Sequence, residues 1–215
     1  FSGISISGVD VFNAFFYDSE NSLDTITNKT NLNHRKVVRI EAYADNTDLE
    51  NGHGTHVAGT AAGKAYCDDC GIAQYNGIAC GAKLYFGDIG NSSSGENSGR
   101  VDLIQQAQIF DELDVHVSSN SWGYSQNLKD VEFSYNKAAF DNPDVLYVFA
   151  AGNSQKYNTI YCPANAKNIA TIGSVEQVSS AVLEFSEVEI FIQNKTHVVE
   201  GIEFMGKIIS KSSKA

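Results

Sequence analysis

Between residues 37 and 173 short apolar runs alternate with segments of helical period. Residues 37–40, 83–86 and 115–119 are apolar enough and short enough to read as strands. Residues 100–113 place Leu103, Ala107 and Phe110 on one helical face, and Ser98-Gly99 just upstream gives a start signal. Residues 131–140 carry a second helical pattern. Residues 145–151 form a continuous apolar run, bounded by Asn142-Pro143 and Gly152-Asn153, as in a strand of a parallel sheet buried on both faces. Residues 169–173 repeat that form. Strands alternating with helices imply right-handed crossovers and a layered α/β sheet whose ligands gather at the strand ends.

From about Ala181 the pattern changes. Val188, Ile190 and Ile192 alternate, and Val198, Val199, Ile202, Phe204 and Ile208 follow without helical period. Lys207, Lys211 and Lys214 concentrate positive charge at the end. The expected organisation is one domain over residues 1–180 and a divergent tail over 181–215, β-rich or poorly ordered.

Composition narrows the classes. With 215 residues, 42% of them apolar and 19% charged, the chain can bury the core of one large domain and is neither disordered nor fibrous. Its formal net charge of −11 repels phosphate backbones, which argues against a nucleic-acid partner. The longest apolar run, 145–151, is far too short to span a bilayer. The chain opens on Phe1 and its single methionine is Met205, as expected of a processed product or an excised piece. The missing signal-peptide pattern therefore carries no information on destination.

Four cysteines, Cys67, Cys70, Cys80 and Cys162, allow three pairings. Cys67 and Cys70 form a C-x-x-C with readings as a disulfide, a redox pair or half a zinc site; with no second C-x-x-C, zinc is the weakest of them. Sequons at Asn28, Asn91 and Asn194, with the even cysteine count, tilt the expectation toward the secretory route.

The stretch richest in chemistry is Asn51-Gly52-His53-Gly54-Thr55-His56-Val57-Ala58-Gly59-Thr60-Ala61-Ala62-Gly63. Two histidines at i, i+3 share a helical face, but the glutamate of H-E-x-x-H is missing and no third metal ligand stands at a clear spacing. The small residues let a helix approach its neighbours closely, which suits an imidazole held as a general base.

This block resembles the subtilisin-like serine peptidases, and the resemblance continues in order along the chain. Gly77-Ile78-Ala79-Cys80-Gly81-Ala82 is similar to the family's G-[IV]-A-P-x-A strand entry, with Cys80 in the proline place. Ser119-Asn120-Ser121-Trp122-Gly123 resembles its substrate-binding S-x-G strand. Ala150-Ala151-Gly152-Asn153 matches the A-A-G-N segment, and Tyr161-Cys162-Pro163-Ala164 resembles the turn that follows. The matching blocks run from about Val37 to Val175, and their wording, with Phe15-Phe16-Tyr17-Asp18, is most similar to eukaryotic microbial members.

The resemblance implies a subtilisin-like parallel sheet with helices on both faces, incomplete at its C-terminal part. It implies His53 as general base, taking a proton from a serine and returning it to the leaving amine. His56 matches a structural position. Asn153 matches the side-chain donor of the oxyanion hole. Ser121, Trp122 and Gly123 would line the cleft where a peptide pairs as an added strand, and Ala150, Ala151 and Gly152 would wall the pocket for the residue before the cut. A peptide or protein is then the expected partner. No cofactor is required, no residue is assigned to a metal, and any calcium would be structural. The family turn also implies a cis Cys162–Pro163 bond, and a cleft into which His53 and Asn153 both point.

Two parts of the pattern are missing. Aligning Ser7-Gly8 with the family's Asp-Thr-Gly puts Ile6 where the aspartate should orient the histidine and Asp10 at a later, non-catalytic acid; a two-residue deletion before Gly8 would read equally well. The Gly-Thr-Ser nucleophile motif occurs nowhere, and neither does G-x-S-x-G. Three readings compete: a peptidase fragment inactive alone, a catalytically dead peptide-binding paralogue, and an unrelated α/β protein with metal-binding His and Cys. Agreement of four blocks with one family favours the first two. Intact His53 and Asn153 favour the fragment.

Overall fold

The computed structural model describes residues 1–67, 71–154 and 156–174, and the backbone of 182–192 and 195–205. Its centre is a six-stranded sheet built from β1 (Ser2–Ile6), β2 (Val37–Ala42), β3 (Leu84–Asp88), β6 (Val117–Asn120), β7 (Leu146–Ala150) and β8 (Ala170–Ile172), in the order β2-β3-β1-β6-β7-β8. All five pairings are parallel. Two short strands, β4 (Gly90–Asn91) and β5 (Glu96–Asn97), make a small hairpin after β3. Further on, β9 (Val182–Ile192) pairs antiparallel with β10 (Lys195–Met205). The expectations for residues 206–215 and for the sequon at Asn194 lie outside the described residues.

Strand order reverses at β1, with β3 and β2 on one side and β6, β7 and β8 on the other. Such a switch point opens a crevice beyond the carboxyl ends of the strands. Helix α1 (His53–Ala62) covers one face: Ala58 and Ala62 pack into a cluster with Ile4, Ile6, Val37, Ile40, Leu84 and Phe86. Helices α2 (Leu103–Glu112) and α3 (Lys129–Asp141) cover the other, where Ile109, Phe110 and Tyr135 meet Tyr85, Tyr147 and Phe149. The fold is α/β, with helices on both faces of the sheet.

Helix α2 begins three residues later than the Ser98-Gly99 signal suggests. Asp102 is its N-cap, accepting from the amides of Ile104 and Gln105. The amides of Ser98 and Gly99 donate instead to Ile89 O, at 2.9 Å each, tying this segment to the end of β3. Strand β1, between β3 and β6 in the middle of the sheet, carries no hydrophobic period of its own. Cys162–Pro163 is cis, as the resemblance implies. Cys67 is disulfide-bonded, whereas Cys80 and Cys162 are free thiols.

Phe110 is the hinge of the second core: it is 2% exposed, sits edge-on to Tyr85 with ring centroids 5.3 Å apart, and lies 6.4 Å from the Tyr147 ring. We expect Phe110→Ala to destabilise the domain by about 3–5 kcal/mol, the usual cost of an aromatic deleted from a packed core. Chemical denaturation measures it directly.

Candidate functional site

The start of α1 is fixed to the end of β1 by a closed set of hydrogen bonds around Asp48. Ser7 Oγ donates to Asp48 Oδ1 at 2.9 Å and accepts from Gly54 N at 2.9 Å. Thr55 donates to Asp48 Oδ2 through both N (2.8 Å) and Oγ1 (2.6 Å), and its hydroxyl accepts from Asp10 N at 2.8 Å. The carboxylate thus lies against the free amides of a helix N-terminus, where negative charge is favoured. A Cβ on Gly54 would stand 1.9 Å from Gly8 O, so only glycine lets α1 come this close. His53 is the first residue of α1; its amide donates to Asn51 Oδ1 at 3.1 Å, and its side chain is exposed.

The position expected to orient His53 is hydrocarbon. Ile6 is fully buried in the apolar cluster beneath α1. Asp10 is exposed, and its Oδ1 accepts from the amide of Phe12 at 2.9 Å. His56 is also exposed and lines a separate cavity of about 990 Å³ with Phe12, Phe16 and Tyr75.

On the other side of the switch point a cavity of about 300 Å³ opens at the ends of β6, β7 and β8. Ser121, Ala150, Ala151, Gly152 and Asn153 all line it, with Ser119, Val148 and Ile172. Five of the residues singled out from sequence therefore share one concavity. Its wall is held by Ala151, whose amide donates to Ile172 O at 2.9 Å and whose carbonyl accepts from Tyr161 N at 3.2 Å. Asn153 is exposed at its mouth.

Trp122 and Gly123 are placed differently. Trp122 packs edge-on against Tyr124, Tyr135 and Phe149, at 5.9, 5.9 and 5.4 Å between centroids, and belongs to the α3 side of the sheet. Gly123 faces Tyr161, while Tyr124 and Cys162 exchange backbone hydrogen bonds of 2.7 and 3.0 Å. Neither lines the 300 Å³ cavity, and His53 does not line it either. Among the described residues no group of three or more His, Cys, Asp or Glu side chains is disposed to hold a metal ion.

These blocks have counterparts in known proteins. Residues 4–202 match the subtilase family. The chain belongs to that family. It is 34% identical over 200 residues to the serine protease/ABC transporter B family protein tagD of Dictyostelium discoideum, covering 86% of this chain and 11% of that one. It is 35% identical over 131 residues to subtilisin-like protease 2 of Pseudogymnoascus destructans, covering 61% and 30%. This subtilase chain thus spans about a tenth to a third of the relatives it matches. Among solved structures, it superposes on the psychrophilic subtilisin-like protease Apa1 of Pseudoalteromonas sp. AS-11 with a TM-score of 0.55 and 19% identity, covering 81% of this chain and 36% of the other. The self-cleaved protease domain of PatA gives a TM-score of 0.53 at 18% identity, covering 81% and 57%.

One buried titratable group beside Ile6 stands in no sequence motif. Asp88, at the end of β3, is the parallel register partner of Ile6 and is fully buried. Its Oδ1 accepts from Gly90 N at 2.9 Å, while Oδ2 has no partner. Burial pushes its pKa up to about 8, the Gly90 amide works against this, and the Asp45 and Asp48 carboxylates add to it. A lone Asp closing an apolar strand was the available signal. Because its folded pKa lies above the unfolded value of 3.8, Asp88 contributes stability below pH 4 that is lost as pH rises toward 8. We expect Asp88→Asn to remove that slope, so that the variant gains on the parent in thermal midpoint between pH 4 and pH 8. Parallel melting curves over this range are the check.

Proposed function

We propose that this chain is part of a serine-type endopeptidase of the subtilisin-like kind, and that as these 215 residues it does not hydrolyse peptide bonds. The observation that carries the second half is Ile6, an aliphatic side chain buried under the helix that begins with His53. An alkyl group cannot accept from Nδ1–H, select the tautomer or stabilise the imidazolium formed when His53 takes a proton. Among 215 residues there is also no Gly-Thr-Ser nucleophile motif for His53 to deprotonate. Asn153 alone could stabilise an oxyanion, yet only water would attack the carbonyl.

A second reading, a peptide-binding paralogue without catalysis, has its own support. The cavity of about 300 Å³ brings Ser121 together with Ala150, Ala151, Gly152 and Asn153, leaving room for one substrate side chain among small residues. Peptide or protein is the partner in both readings, with no cofactor required. Export through the secretory route is supported by the disulfide at Cys67 and by an exposed sequon residue, Asn28.

The chain incubated with an unfolded protein substrate is expected to show no cleavage above background, and His53→Ala to behave identically. Turnover that vanishes in His53→Ala would overturn this reading. Ile6→Asp is expected to destabilise the domain more than Ile6→Val, since it buries a carboxyl group in the apolar cluster beside Asp88; chemical denaturation of the two variants compares them.

A further inference from the structure

The N-x-S/T triplets at Asn28, Asn91 and Asn194 take no part in the crevice chemistry, and such triplets arise often by chance. Local geometry separates them. Asn91-Ser92-Ser93 opens the turn that joins β4 to β5. Asn91 Oδ1 accepts from the amide of Ser93 at 3.0 Å, closing an Asx turn, and from Ser94 N at 3.2 Å. The Asn91 carbonyl accepts from the amides of Ser94 and Gly95 at 3.1 and 2.8 Å. Ser92 pins the turn from outside, donating to Asp45 Oδ2 through both N and Oγ at 2.7 Å each. Asn91 Nδ2 and Ser93 Oγ make no hydrogen bond among the described residues. Residues 92–95 are exposed, and Asn91 is partly so.

Asn28-Lys29-Thr30 is held differently. Asn28 has a φ of 52°, and its Oδ1 accepts from Ala42 N at 2.9 Å while its own amide donates to Ile40 O at 2.7 Å. Its carboxamide is thus turned to strand β2 rather than to Thr30. The Thr30 hydroxyl accepts from Arg39 Nη1 at 3.3 Å. Of these two triplets, Asn91 is folded on its own third residue, and Asn28 is a clamp on a strand. Asn194 lies outside the described residues.

We propose that Asn91 is an N-glycosylation acceptor in the folded chain, taking an oligosaccharide from a lipid-diphosphate donor. Nδ2 attacks the anomeric carbon of the sugar, and the bond from that carbon to the diphosphate oxygen breaks. The lipid diphosphate leaves with the electron pair, and Nδ2 gives up one proton. A carboxamide nitrogen is a poor nucleophile because its lone pair is delocalised into the carbonyl. An Asx turn folds the third residue of the triplet back toward the carboxamide, so that a hydroxyl there can hydrogen-bond it and oppose that delocalisation. The product is bulky and hydrophilic, which suits a turn whose residues 92–95 all face solvent. The choice of Asn91 rests on the geometry of the turn; meeting the donor in the cell rests on the secretory-route reading given above.

Two experiments keep these apart. In the first, the purified, folded chain is incubated with an oligosaccharyltransferase and a lipid-diphosphate oligosaccharide, and its peptides are mapped by mass spectrometry. Occupancy at Asn91 is expected to exceed that at Asn28 by about tenfold, the scale of one hydrogen bond that has to break at Asn28 first. Reduced and unfolded chain should lose this preference. Modification should vanish in Asn91→Gln and in Ser93→Ala, and persist in Ser93→Thr, with circular dichroism of all three matching the parent. An unmodified Asn91 in the folded chain would overturn the proposal. So would equal occupancy of Asn28 in the folded chain, or undiminished occupancy of Asn91 in Ser93→Ala. In the second experiment the same peptides are mapped in protein recovered from its native cells. A bare Asn91 there, beside a modified one in the first experiment, would overturn the secretory-route reading while the acceptor assignment stands.

Discussion

The carboxylate of Asp48 is the junction on which the crevice depends. It receives Ser7 from the end of β1 and Thr55 from the first turn of α1, and Ser7 in turn receives Gly54. Each bond contributes on the order of 1 kcal/mol, more where the acceptor is charged. Their joint effect is geometric: they set the depth at which α1 meets the sheet, and so where Ala58 and Ala62 pack and where His53 emerges. None of them involves residue 6. Ile6 itself joins the core beneath the frame.

The two halves of the sheet have opposite histories of burial. Over β2, β3 and β1 the α1 face is closed by small residues and aliphatics, whereas over β6, β7 and β8 the helices lie behind. Catalytic-side features follow this division. His53 belongs to the closed half, and the cavity with Asn153 belongs to the open one. A substrate lying across the switch point would contact both.

Legibility followed the same physics. The continuous apolar run around β7 announced a strand, and Tyr147 and Phe149 are buried beneath α2 and α3 as expected, whereas Leu146 on the other face is exposed. Strand β1 was silent for a steric reason. Gly3 stands where a Cβ would come within 2.8 Å of the Phe110 ring, and Ser5 Oγ would lie 2.8 Å from a Cβ on Gly87. A central strand pressed from both faces takes small residues of low strand propensity, leaving Ile4 and Ile6 too few to show a period. Asp102 capped α2 where Ser98 and Gly99 had looked the better start, since their amides were engaged by Ile89. The order of blocks singles out Ser121 and the Ala150–Asn153 segment, which line one cavity. It could not say which way Trp122 turns, because the side of a strand that a residue faces is decided by neighbours far away in sequence.

The Asp48 network also bears on what a motif records. Gly54 is required by the approach of Gly8, and Thr55 by the carboxylate it serves. Both would be kept by selection for a folded domain alone, in a lineage where hydrolysis had ceased to matter. Most of a Gly-His-Gly-Thr-His signature is therefore a fossil of architecture as much as of chemistry, and its letters can outlive the reaction they were named for.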